Sequence, residues 1–82
     1  MADLIRTDGK IVKDVDISSL KKIQNHVGGY IEYCPVDAHS FMYVDEEGLL
    51  KDRDINPKAS DIAGRIVVGD VLLCLNDEVD HE

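Results

Sequence analysis

Tryptophan is absent from this 82-residue chain, phenylalanine occurs once and tyrosine three times. A core with so few aromatics has to be built from Ile, Leu and Val, at about 0.8 kcal/mol per buried methylene. That is enough to fold one small domain, but not to enclose a large ligand within a single subunit. Cysteine is scarce too. Cys34 and Cys74 stand far apart in apolar, strand-like runs and read as buried thiols acting as small hydrophobes. A disulfide would need their strands to be neighbours and an oxidising compartment, and no secretory leader points to one. No apolar run approaches the roughly 18 residues that cross a bilayer. No membrane is expected, and the chain reads as cytoplasmic. Bases are the last shortage: nine against seventeen acids, a formal charge of −8. Such a surface repels phosphate backbones, which argues against nucleic acid as a partner, and favours basic partners.

The chain divides into one α+β domain over residues 1–76 and an acidic tail over 77–82. The tail reads as a frayed, solvated end, with docking on a basic partner as the alternative. A domain this small buries only roughly 60–65% of its unfolded surface, so a homo-oligomer is expected.

Leu4-Ile5-Arg6 and Ile11 to Val15 flank Thr7-Asp8-Gly9-Lys10. Asp-Gly between short apolar runs predicts a hairpin with a type I′ turn. Ser18 or Ser19 then caps a helix, and Ile17 staples its entry. Leu20, Ile23 and Val27 form one apolar stripe on that helix, which ends at Gly28 in the left-handed conformation. Too short to persist alone, the helix must lie on a sheet. Tyr30 to Val36 and Phe41 to Val44 read as paired strands around an Asp37–Ser40 turn, with Glu46-Glu47-Gly48 closing the second and leading into Leu49-Leu50. Asn56-Pro57 starts a single helical turn stopped by Gly64. Ile66 to Leu75 is a further β region, interrupted at Gly69-Asp70. The expected architecture is α+β: a short amphipathic helix packed on a strongly bent antiparallel sheet.

Few residues suggest chemistry. Asp52-x-Asp54-x-Asn56 opens like a calcium loop, but Pro57 stands where that loop turns on glycine and Ala63 where it needs a bidentate Glu. His26, His39, His81 and the two cysteines lack metal-ligand spacing. No nucleophile has a base and an orienting third group beside it, and Glu46-Glu47 reads as a solvated turn, so the chain is not expected to be an enzyme. No cofactor is expected. Gly28-Gly29 follows a helix instead of opening one, so it is a cap and a close backbone approach, not a phosphate cradle. One anion site survives: the amides after Asn56, with Arg53, Lys58 and Arg65 near them in sequence. Solvated charges are the competing reading.

Four blocks carry a family resemblance: Val27-Gly28-Gly29-Tyr30-Ile31-Glu32, Val44-Asp45-Glu46-Glu47-Gly48-Leu49-Leu50, Asn56-Pro57-x-Ala59 and Ile66-Val67-Val68-Gly69-Asp70-Val71. In order and spacing they resemble the domain of unknown function 3846 family of small proteins from bacteriophages and bacterial mobile elements. The resemblance spans nearly the whole chain and transfers no catalytic residue. It implies an accessory protein acting in the cytoplasm of a bacterial host, of a kind that inhibits a host enzyme, sequesters a small molecule or tunes takeover.

Two functions follow as expectations. In the first, a non-catalytic counter-defence module holds a nucleotide-derived host signal between subunits. Arg53, Lys58 and Arg65 would neutralise phosphate, the amides after Asn56 would bind its oxygens, and Tyr30 or Tyr43 would stack on a base. In the second, an acidic inhibitor covers a basic surface of a host protein. A hydrolase is the third, distinguished by turnover of its ligand.

Overall fold

The computed structural model describes residues 2–48 and 50–75. Strands β1 (Ala2–Ile5), β2 (Ile11–Val15), β3 (Ile31–Pro35), β4 (Ser40–Asp45) and β5 (Val71–Leu75) form one antiparallel sheet in the order β2-β1-β5-β4-β3. Helices α1 (Leu20–Val27) and α2 (Pro57–Ala63) complete the α+β domain. The acidic tail and Leu49 lie outside the described residues. Among the described residues, no helix is long and apolar enough to cross a membrane.

Alternation along the strands sorts apolar side chains onto two faces. Ile5, Cys34, Met42, Val44 and Val71 pack with Ala59 of α2 and with Val67. Ala2, Leu4, Phe41, Leu72 and Cys74 pack on the other side with Val27 of α1. The sheet is therefore covered on both faces. The sequence predicts one packed helix; the second covers the other face because its buried residue, Ala59, is small enough to bring the helix close. Cys34 and Cys74, not joined by a disulfide, lie in different clusters on opposite faces, so the sheet itself separates them.

The local signals hold with specific adjustments. Ser19 is the α1 cap, its Oγ accepting from Lys22 N at 3.2 Å. The first hairpin forms, but as a three-residue loop: Gly9 N donates to Arg6 O and Arg6 N to Lys10 O. Only Gly9 there has positive φ, so the turn is a type I with a glycine bulge and not type I′. Val27 is buried and Ile23 partly so, whereas Leu20 is 60% exposed. The first turn of α1 projects past the core, and Ile17, just ahead of the helix, packs against it instead. Helix α2 extends through Ala63 before Gly64 closes it. Val68 makes only an isolated bridge with Ile55, and β5 begins after Gly69-Asp70.

Asn56 binds α2 to the sheet. Fully buried, it caps the helix by accepting from Ala59 N at 3.1 Å, while Nδ2 donates to Ile5 O at 3.0 Å and Gly69 O at 2.9 Å. Replacing it with alanine removes the cap and strands two carbonyls, a loss of about 3 kcal/mol. Asn56→Asp keeps the cap but loses both donors, so it too is expected to be destabilised in urea unfolding. An Asp variant as stable as wild type would reduce Asn56 to a cap.

Candidate functional site

The described surface offers several depressions around one buried charge. That charge is Asp45, the last residue of β4, whose side chain has no exposed area. Its Oδ1 accepts from Glu47 N at 2.9 Å. Its Oδ2 accepts from Arg53 Nε at 2.7 Å and Lys51 Nζ at 3.1 Å. Both cations continue to the end of α1: Arg53 Nη2 donates to Gly28 O at 3.0 Å and Lys51 Nζ to the same oxygen at 3.4 Å. The carbonyl end of a helix carries partial negative charge, so two cations there are favourably placed.

The chain bends to admit these side chains. Gly28 caps α1 with φ +96, its N–H donating to Gln24 O, and a Cβ there would sit 2.8 Å from Arg53 Nη2. Gly69, with φ +78, would put a Cβ 2.8 Å from Arg53 Cδ. Glycine is thus required on both sides of one arginine. The close backbone approach expected of Gly28 is met, and the group approached is Arg53.

Burial pushes the Asp45 carboxyl up, but the Glu47 amide, Lys51 and Arg53 outweigh it and hold the group below the ordinary carboxylate value. In the sheet's aromatic row, Tyr43 is pushed up by burial, with Cys74 and Tyr33 adding to the shift.

The residues expected to share an anion site are dispersed. Arg53 is engaged by Asp45 and Gly28 O. Arg65 donates from Nη2 to Cys34 Sγ, on β3, at 3.0 Å. Asn56 has its side chain saturated, and the Ala59 amide beyond it is already taken by the Asn56 side chain. Lys58 is exposed on α2. Tyr43 is partly buried and sits edge-on to Phe41 at 5.2 Å, which leaves its ring engaged in the core. Of the two tyrosines, Tyr30 is the one presented to solvent, 67% exposed.

Tyr30 borders one depression, a hollow of about 530 Å³ at the C-terminal end of α1, lined also by Gln24, Asn25, Gly28, Gly29, Glu47 and Lys51. Lys51 reaches it with its ammonium already bound to Asp45 and Gly28 O. What remains for a visitor is an aromatic ring, a carboxylate and two amide side chains. Those groups suit a cation. A second depression, about 240 Å³, lies between β3–β4 and the segment before β5; Glu32, Glu46 and Arg65 rim it over Val44 and Val67.

Sequence reasoning gives no role to Asp45 or Lys51. Asp45 ends an apolar strand and looks like the start of a turn. The available signal is a lone Arg53 amid Asp52 and Asp54, within reach of blocks that contain glycine or an acid.

Removing the Asp45 carboxylate leaves two cations without their anchor. Breaking a buried pair costs about 3–5 kcal/mol; with Arg53 and Lys51 each about a third exposed, solvent recovers part of it, leaving about 2–3 kcal/mol for Asp45→Ala. Because the folded-state pKa is depressed, the stabilisation is full above the unfolded carboxylate value, about 3.9. It is lost as pH falls below that and through the folded value. Urea midpoints between neutral pH and pH 3 should therefore drop more for wild type than for Asp45→Asn, and equal drops would count against this account.

Comparison with curated proteins and with solved structures found no match. The family described as Domain of unknown function (DUF3846) matches residues 2–82, a span that takes in both helices, all five strands and the Asp45 cluster. The chain belongs to the DUF3846 family.

Proposed function

We propose that this protein is a non-catalytic binding module that docks its acidic surface on a basic surface of another protein. The observation that carries this reading is the fate of the cations. In a chain of charge −8, Arg53 and Lys51 are turned inward onto Asp45 and the end of α1. The Tyr30 hollow is left with the Glu47 carboxylate, the side-chain amides of Gln24 and Asn25, and an aromatic face. A lysine or arginine of the partner would lay its stem on Tyr30 and its charge toward Glu47. In the phage or mobile-element setting implied by the sequence blocks, the partner would be a host protein whose basic surface is thereby covered.

The nucleotide-sequestering alternative draws less from the geometry. It requires Arg53, Lys58, Arg65 and the amides after Asn56 at one point, yet Arg53 and Asn56 are occupied and Arg65 is turned toward Cys34 of β3.

Titration with arginine- and lysine-rich peptides, beside a panel of cyclic and ADP-ribose-type nucleotides, separates the two. Peptide binding that weakens several-fold from low to high salt, and again in Tyr30→Ala and Glu47→Lys, is the expected result. Silence toward every basic peptide, with a nucleotide retained and recovered intact, would replace this reading by sequestration. Turnover of the nucleotide would indicate a hydrolase.

A further inference from the structure

The two edges of the sheet are built differently. At the β2 edge, the register with β1 shifts between Ala2 and Leu4, and Asp14 takes φ +58. Lys13 and Asp14 both turn to Asp3: Lys13 Nζ lies 3.4 Å from Asp3 Oδ2 and Asp14 N 3.4 Å from Oδ1. A charged bulge of this kind prevents another strand from adding. The β3 edge has no bulge. Its five residues stay in continuous register with β4, from Ile31↔Asp45 to Pro35↔Phe41.

The direction of each β3 backbone group follows from the ends of that ladder. Glu46 N donates to Tyr30 O at 2.9 Å and Val36 N to Ser40 O at 3.1 Å. Alternate residues of an antiparallel strand spend their amide and carbonyl on the neighbour. Even-numbered residues of β3 therefore face β4, and Ile31, Tyr33 and Pro35 direct their backbone groups outward. No strand among the described residues meets them. Pro35, which has no amide, stands at an outward position, as proline in a sheet must.

We propose that β3 joins two copies of this chain into a two-fold dimer, its strands antiparallel with Tyr33 opposite Tyr33 and Arg65 of each copy paired with Glu32 of the other. In this register each Tyr33 amide donates to the other copy's Tyr33 carbonyl, and each Ile31 amide to the other's Pro35 carbonyl. The donor that Pro35 lacks costs one unfilled carbonyl at each end and nothing at the centre. Centring on Glu32 instead would set two carboxylates side by side, which is unfavourable. Centring on Cys34 would set Pro35 opposite Tyr33 with no amide to return the bond.

Side chains select the same arrangement. On the α1 face, exposed Tyr33 meets its counterpart and Ile31 meets Pro35. On the α2 face, Glu32 stands opposite the other copy's Cys34 in a non-hydrogen-bonded pair, with Cα atoms about 4.5 Å apart. Arg65 Nη2 is already seated 3.0 Å from that Cys34 Sγ. The incoming Glu32 carboxylate therefore arrives beside a guanidinium that is engaged by a thiol and not by a carboxylate, and two-fold symmetry makes the ion pair twice. The surface is complementary to itself in donors, shape and charge. This inference is independent of the Tyr30 hollow, which uses the α1 end.

Sedimentation velocity over a concentration series tests it. Wild type should show a monomer–dimer equilibrium. Tyr33→Pro, which removes the central outward amide together with the ring that meets its counterpart, should abolish it. Glu32→Lys and Arg65→Glu should each weaken the dimer about tenfold or more, since each places like charges across the two-fold. Mixing those two variants should restore a heterodimer. The lysine introduced in one chain then meets the glutamate introduced in the other, while the unmutated Arg65 and Glu32 still pair across the two-fold. The intramolecular arrangement in each variant is unchanged by mixing, so recovery has only an intermolecular source. A wild type that stays monomeric to millimolar concentration overturns the proposal. A dimer indifferent to both charge reversals, or one not regained on mixing, does so as well. Should Tyr33→Pro fail to fold, the mixing result decides alone.

Discussion

Asp45 is the constraint around which the domain is arranged, because it is a carboxylate with no access to solvent and must be neutralised from within. Its two cations come from the loop after β4, and both go on to the Gly28 carbonyl at the end of α1. One set of charges thereby links β4, the following loop and the helix-to-strand junction. Hydrophobic burial presses α1 to the sheet through Val27 and Ile23, but it does not specify where along its length the helix must stop. The directional bonds to Gly28 O do. Asn56 does similar work across the other face, joining α2 to β1 and to the Gly69 turn.

These two polar centres lie beneath the blocks that carry the family resemblance. Val27 to Glu32 brings the α1 cap to Arg53, Val44 to Gly48 brings Asp45 with its amide partner, Asn56-Pro57 starts α2, and Gly69 admits the Arg53 stem. The most distinctive residues of the chain are therefore accounted for by scaffold geometry. Two residues of the same blocks, Tyr30 and Glu47, instead keep their side chains at the surface beside the α1 end.

Much of the fold is legible in the sequence, and for physical reasons. Cap and turn residues act locally, so Ser19, Gly28, Asn56-Pro57 and Gly64 announce both helices. Apolar runs separated by Asp8-Gly9 and Asp37–Ser40 announce two hairpins. Leu20 is misplaced by the same reasoning because periodicity reports a stripe and not the length of core that the stripe can reach; the helix begins beyond the sheet's margin. The packing of α2 is underestimated because its contact residue is alanine, which leaves little trace in an apolar pattern. The expected grouping of anion-site side chains is drawn apart for a different reason. Proximity in sequence places Arg53, Lys58 and Arg65 together, but a tight loop and a helix aim successive side chains in different directions, and a buried acid captures Arg53 first.

The sheet that divides the two thiols also sets how this chain responds to oxidants. Cys34 and Cys74 are each buried, one under each layer, with the backbone plane between them. A disulfide brings Cβ atoms to about 4 Å, which the native chain cannot do without dismantling its sheet. An internally cross-linked species would therefore be a covalent record of molecules that had unfolded before they were oxidised, and a non-reducing gel would count that fraction directly.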